Sequence, residues 1–306
     1  MIILKLGGSI LTKKDLKNPE VNYNNLNRIA NEIKIALTNK STENPENPKN
    51  PENAESGKNA ENTQNTENDL LYGELSKKLV IIHGAGSFGH PPAKKYGIGE
   101  PFTMDQYPEK RIGFSKTQLC VKKLNTLICE VFINHGIPCV SIQASSFITT
   151  KNKRINNFNL DLIERYLKEG FVPVIYGDVV LDDDLNIAVL SGDQILQFIA
   201  KNLKINTSKS KKEVILGTDV AGVFTKNPNK YDDAVHIPKL SSLDEIEELD
   251  STTNIDVTGG MIGKIKELLE LANIGIESKI IDANEPNAIL NALERKKVKG
   301  TIIKQN

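Results

Sequence analysis

Seven short apolar runs punctuate the chain: Ile2–Leu6, Leu79–Ile82, Pro138–Ile142, Val172–Tyr176, Val214–Leu216, Ser278–Ile281 and Thr301–Ile303. Between them lie stretches with apolar residues at helical spacing. Leu26, Ile29, Ala30, Ile33 and Leu37 form one stripe, and Cys120, Leu124, Leu127, Ile128 and Val131 a second. A third, Ile265, Leu268, Leu269 and Ala272, stops near Gly275. Strands joined through a whole helix run parallel, and a parallel sheet is covered on both faces, so its strands read as unbroken apolar runs. The alternation therefore predicts an α/β fold with helices packed on a mainly parallel sheet. Asp178–Leu190 departs from the rhythm. Val179-Val-Leu181 and Ile187-Ala-Val-Leu190 flank three aspartates, Asp182 to Asp184, and read as a β-hairpin whose acidic residues serve the turn rather than a metal.

One segment does not fit any sheet. Ser41–Asn68 repeats Glu-Asn-Pro and Glu-Asn-Thr units and holds no aliphatic residue larger than alanine. Such a chain buries too little apolar surface to offset ordering entropy, so a disordered surface insertion between the first helix and the second strand is expected. Acidic and basic residues balance at 39 each, so no global field points to nucleic acid or a membrane as partner. Cys120, Cys129 and Cys139 form no CxxC pair and read as reduced, buried thiols. No run approaches about 18 apolar residues, and the first strand leaves no room for a signal-peptide core, so a cytoplasmic protein is expected.

The chemistry-bearing residues cluster in glycine-rich turns. After the second strand comes Leu79-Val-Ile-Ile-His-Gly-Ala-Gly-Ser-Phe-Gly-His90. Bare backbone N–H groups in such a turn favour an anion, and His90 adds a side-chain donor. Gly84 to Gly89 formally matches GxGxxG, with Glu100 and Asp105 near the distance of a ribose-binding carboxylate. Against a dinucleotide fold, Pro91-Pro92 follows at once, where that fingerprint continues into a helix, and further glycine turns are left without a role.

Lys5-Leu-Gly-Gly-Ser9 sets an ammonium beside bare backbone, the pairing phosphoryl transfer needs. Lys14 follows shortly and has the reach to fold back over that turn. Thr258-Gly-Gly-Met-Ile-Gly-Lys264 opens a helix, with Gly259 and Gly260 admitting phosphate and Lys264 one turn in, without Walker A spacing. Leu216-Gly-Thr-Asp-Val-Ala-Gly-Val-Phe224 ends a strand in a loop able to face a nucleotide. Asp193, in Ser191-Gly-Asp-Gln194, starts a helix, where it reads as an N-cap or as a carboxylate that holds two lysines in register. No HExxH or GxSxG signature competes, and His135, beside Gly136, suits a helix end.

Taken in order, KLGGS, HGAGSFGH, YGD, SGDQ, GTDVAGVFTKNP and DVTGGMIGK resemble the motifs of the amino acid kinase superfamily. Within it they are most similar to the isopentenyl phosphate kinases of the archaeal mevalonate pathway, and HGAGSFGH is the most specific element. Carboxylate-phosphorylating relatives typically have HGGGP-like sequence there, and fosfomycin kinases share the histidine-bearing form. The resemblance spans almost the whole chain apart from Ser41–Asn68. It implies one domain over residues 1–306, an open αβα sandwich around a mainly parallel β-sheet. The N-terminal part would hold the acceptor and the C-terminal part ATP.

It also implies roles. Lys5 would contact the transferring phosphoryl group, with Leu6, Gly7, Gly8 and Ser9 along the phosphates. Lys14 would stabilise the transition state. Lys264 and Gly260 would bind the β/γ region of ATP, with Gly86 near the nucleotide phosphates. Ala85, His90 and Gly177 would bind the acceptor phosphate, Asp193 would organise the lysines, and Asp219 would lie at the nucleotide edge. The implied cofactors are ATP and Mg²⁺, the acceptor isopentenyl phosphate and the assembly a homodimer. A fosfomycin kinase-like enzyme and a non-catalytic nucleotide sensor are the alternatives.

Overall fold

The structure, a computed structural model, describes residues 1–13, 18–39, 75–204, 211–225, 228, 231–243 and 259–305. The insertion Ser41–Asn68 and Lys14 lie outside the described residues. All seven anticipated strands form, each within two residues of the expected bounds at either end. In chain order they are β1 (Ile2–Leu6), β2 (Leu79–His83), β3 (Cys139–Ile142), then β6 (Val172–Tyr176), β9 (Glu213–Thr218), β13 (Glu277–Asp282) and β14 (Gly300–Ile303). With β12 (Lys239–Leu240) they make a sheet of order β12-β14-β13-β9-β1-β2-β6-β3. Every pairing in it is parallel except β13 with β14.

Alternation along each strand divides the core. Ile3, Val80 and Ile82 face one layer, made by α5 (Asp161–Lys168), α6 (Gly192–Asn202) and α7 (Gly259–Ala272). Ile2, Leu4, Leu6, Leu79 and Ile81 face the other, made by α2 (Tyr23–Thr38), α4 (Tyr107–Asn134) and α8 (Ala288–Leu293). The result is the expected αβα sandwich. The helical stripes read from sequence are the buried faces of α2, α4 and α7. Cys129 is buried, whereas Cys120 and Cys139 are half-buried, and all three are free thiols.

A buried carboxylate joins two helices of the second layer. Glu32 of α2, 3% exposed, accepts the backbone N–H groups of Asn287, Ile289 and Leu290 at 3.0 to 3.1 Å. These belong to the first turn of α8, whose own N-cap, Asn287, makes no side-chain cap. Arg28 pairs with Glu32 and reaches the carbonyl of Ala283.

A second sheet has the order β5-β4-β7-β8. Its hairpin β7 (Asp178–Asp182) and β8 (Asn186–Leu190) lies where it was anticipated. Asp182 works as a turn residue, accepting N–H groups of Asn152, Lys153, Asp184 and Leu185 and the Thr150 hydroxyl. Burial alone would raise its pKa, but these donors together hold it down at about 2. The partner hairpin, β4 (Ile148–Lys151) and β5 (Arg154–Phe158), was not legible. Its tight turn places Asn152 and Lys153 at positive φ without a glycine to signal it.

One sequence expectation fails. Pro91-Pro92 does not interrupt a helix after the glycine-rich run, because α3 (Gly86–Lys95) passes straight through both prolines. The helix forgoes two backbone donors, leaving the Ser87 and Phe88 carbonyls without their helical partners. A short helix α1 (Gly8–Leu11) likewise replaces the simple turn after β1.

Candidate active site

Strands β9, β1, β2 and β6 are neighbours, and their carboxyl ends lie level: Leu6 pairs with Gly217 on one side and His83 on the other, and His83 with Tyr176. The chain lays β2, β3 and β6 to one side of β1 and then returns to place β9 on the other. Ligands in open α/β sheets bind outside the strand ends at such a reversal. Four of the glycine-rich or acidic turns named from sequence start there.

The turns after β1 and β2 touch backbone to backbone. A Cβ on Gly8 would lie 2.4 Å from the nitrogen of Gly86, and Gly86 itself adopts φ +50. Thr12 ties the turns together: its hydroxyl donates to the Gly8 carbonyl at 2.9 Å and accepts the Ser87 N–H at 3.1 Å. The N–H groups of Gly8, Ser9, Ala85 and Gly86 find no acceptor among the described residues. The Ser87 hydroxyl is buried without a partner. Two bare donor pairs thus lie on either side of one backbone contact, groups of the kind that an anion satisfies.

Charged groups surround this floor. Lys5, 3% exposed, reaches out of β1 to Asp193 Oδ1 at 2.7 Å. Asp193 stands in the first turn of α6, beside the Ser191 N-cap. The Lys264 ammonium has its pKa lowered by burial and by Lys5, while Asp193 and Asp219 oppose the shift. His90 opens to solvent, yet desolvation within the cleft, then Lys264 and Lys5, lower its pKa below the ordinary histidine value. Lys5 and Lys264 thus lie near enough to His90, and Lys5, Asp193 and Asp219 near enough to Lys264, for their charges to be felt there. A neutral imidazole in the company of ammonium groups suits a hydrogen-bond donor to a phosphate, not a proton acceptor.

Some candidates stand differently from their sequence-based expectation. The Leu6 side chain is fully buried in the core, and its carbonyl accepts the Gly84 N–H at 3.0 Å, so it joins the turns instead of lining the cleft. The N–H groups of Gly7 and Gly177 are already given to Gly217 and His83 carbonyls, so these glycines offer close approach but no donor. Gly260 lies in the first turn of α7. Thr12 and Ser87 were missed, as were His83 and Asn125, because nothing local in sequence marks a contact made across the fold.

Beneath the floor His83 is fully buried, and burial, then the nearby Lys5 charge, hold its pKa down at about 4 against an opposing hydrogen bond with Gly84. The unfolded chain takes up this proton below about pH 6.5, whereas the folded chain resists until about pH 4. Stability attributable to His83 is thus intact above that window and lost as pH falls through it, by about 3 kcal/mol. Urea midpoints between pH 7 and 4 are expected to fall more steeply for the parent protein than for His83→Asn; parallel slopes would contradict this.

The sequence profile of the amino acid kinase family matches residues 61–282. An isopentenyl phosphate kinase of Methanothermobacter thermautotrophicus is 44% identical over 99% of this chain and 98% of its own length. One from Methanocaldococcus jannaschii is 34% identical over 96% and 95%. A solved structure described as an isopentenyl phosphate kinase superposes with a TM-score of 0.77 at 40% identity, covering 99% of each chain.

Proposed function

The chain belongs to the amino acid kinase family, and on that premise we propose that it transfers the γ-phosphoryl group of ATP to isopentenyl phosphate, giving isopentenyl diphosphate for isoprenoid biosynthesis. The observation that carries the reading is the convergence of Lys5, Lys264, Asp193 and His90 on a floor of unpaired backbone donors.

The chemistry follows from charge. The acceptor is already an anion, so its approach to the γ-phosphate brings like charges together. Lys5 and Lys264 neutralise that repulsion, and Asp193 keeps Lys5 from collapsing onto the phosphates before the substrates are aligned. The N–H groups of Gly8 and Ser9 follow the transferring group, with Gly86 beside the nucleotide phosphates. Ala85 and His90 hold the acceptor phosphate in line, with Gly177 giving close approach. Asp219 lies at the nucleotide edge, Gly260 at the β/γ phosphates, and Lys14 is assigned to the transition state. The attacking oxygen is ionised above a second pKa of about 6, so no general base is required.

Mg²⁺ is proposed to enter with ATP. Among the described residues no group of three or more His, Cys, Asp or Glu side chains surrounds a common point, which fits a metal held chiefly by phosphate oxygens and water. Bound there, the ion neutralises phosphate charge. An apolar cluster of Ala93, Ile98, Val179 and Ile187, with Tyr96, Phe102 and Phe114 against it, begins one helical turn past His90 and suits a hydrocarbon tail. Among the described residues no helix is long and apolar enough to cross a membrane. A single domain over 1–306, a homodimer and a cytoplasmic location complete the reading; light scattering tests the dimer.

ADP release coupled to a reporter, with isopentenyl phosphate and fosfomycin compared as acceptors, tests the assignment. Turnover with isopentenyl phosphate is expected. Turnover with fosfomycin alone would move the chain to the rival kinase, and none with any acceptor would leave a nucleotide sensor. His90→Ala is expected to lower kcat/KM for isopentenyl phosphate about 10- to 100-fold, the worth of one hydrogen bond to a charged group, with His90→Gln retaining part of it. The acid limb of the parent profile is expected to follow ionisation of the acceptor near pH 6. Unchanged kinetics in His90→Ala would remove its role.

A further inference from the structure

We propose that His83 is a positioning residue for the acceptor phosphate, holding the Gly84 carbonyl inward so that the Ala85 N–H is turned into the cleft. The inference rests on the acceptor reading of Ala85 given above.

The hydrogen-bond inventory leaves one arrangement. His83 Nδ1 lies 3.0 Å from the carbonyl oxygen of Gly84, and a carbonyl only accepts, so Nδ1 carries the proton. The ring is held neutral: it is fully buried with Tyr176 stacked on it at a centroid distance of 5.3 Å, and burial, with the like charge of Lys5, outweighs the Gly84 hydrogen bond that favours an imidazolium. A neutral ring protonated at Nδ1 accepts at Nε2, where Asn125 Nδ2 stands at 3.0 Å. The Asn125 amide is turned this way because its Oδ1 is taken by the Ser141 hydroxyl and by the Cys129 thiol at 3.8 Å. Helix α4 and strand β3 thereby select the tautomer of a histidine on β2.

The consequence reaches the cleft through one peptide plane. The Gly84–Ala85 peptide bond is trans, so the C=O of Gly84 and the N–H of Ala85 point to opposite sides. With the carbonyl tied inward to His83, the Ala85 N–H faces outward, and it has no acceptor among the described residues. The other end of the turn is fixed as well, since the Gly84 N–H goes to Leu6 and the Ser87 N–H to Thr12. His83 thus supplies the restraint that keeps the peptide from flipping when no phosphate is bound.

Two measurements test this. Nitrogen-15 spectra of the intact protein labelled at histidine, with the His83 signals assigned by their loss in His83→Asn, should show Nδ1 protonated and Nε2 bare at pH 7. An Nε2-protonated or freely titrating ring in the parent overturns the proposal whatever the kinetics of the variants. The second uses isosteres, because the amide nitrogen of asparagine falls near Nδ1 and that of glutamine near Nε2. His83→Asn is expected to keep KM for isopentenyl phosphate within about threefold of the parent, and His83→Gln to raise it about tenfold or more, with KM for ATP unchanged in both. Inorganic phosphate should shift the Ala85 amide signal in the parent and in His83→Asn but not in His83→Gln. Equal behaviour of the two variants overturns the inference. Absence of isopentenyl phosphate turnover in the parent strikes the acceptor assignment instead, and the phosphate titration still decides the role of His83.

Discussion

Lys5→Met is expected to cut kcat by about 10²- to 10³-fold or more while KM for isopentenyl phosphate changes little, the pattern for a charge used mainly in the transition state. The residue is 3% exposed and its stem passes Gly192, where a Cβ would come within 3.2 Å of Lys5 Cε. Its ammonium therefore has little positional freedom, and Asp193 fixes the end at 2.7 Å. Methionine preserves the stem and removes the charge, so the loss reads the electrostatic part alone. Asp193→Asn offers the complementary test. It leaves a buried ammonium short of its partner and is expected to cost stability as well as rate, since removing one partner of a buried pair typically costs about 3–5 kcal/mol. A Lys5→Met enzyme with parental kcat and a raised acceptor KM would show that the lysine only binds substrate.

The largest effect on folding is expected at Glu32, far from any chemistry. Glu32→Ala strips three backbone N–H groups of α8 of their acceptor and leaves Arg28 without its carboxylate. Orphaned buried donors cost about 1–3 kcal/mol each where water cannot reach them, so a loss of about 3–5 kcal/mol is expected after partial relaxation. Glu32→Gln keeps the acceptor oxygen and should recover a sizeable share. Urea denaturation of the three proteins checks the order. A Glu32→Ala midpoint equal to that of the parent would mean that α8 finds its cap elsewhere.

The central strands were legible because they are buried on both faces, and burial on both faces writes an unbroken apolar run. Sequence pattern fails at α3, where Pro91 and Pro92 look like a barrier to a helix that runs through both. Local propensity lost there to tertiary context: the helix starts at Gly86 against Gly8 and Thr12, and packing of Phe88 and Ala93 compensates for two missing donors. Lys5, His90, Asp193 and Lys264 stood out because each lies within two residues of a glycine in a glycine-bearing motif. His83 and Thr12 did not, because their partners lie 42 and 75 residues away, beyond any local pattern.

The touching backbones of Gly8 and Gly86 carry an evolutionary consequence. A floor assembled from main-chain amides at that contact admits no side chain at Gly8 or Gly86, so drift is closed there and open elsewhere. On the proposed function, acceptor preference is then free to change through the apolar residues of α3 and the β7–β8 hairpin while the phosphate floor stays constant.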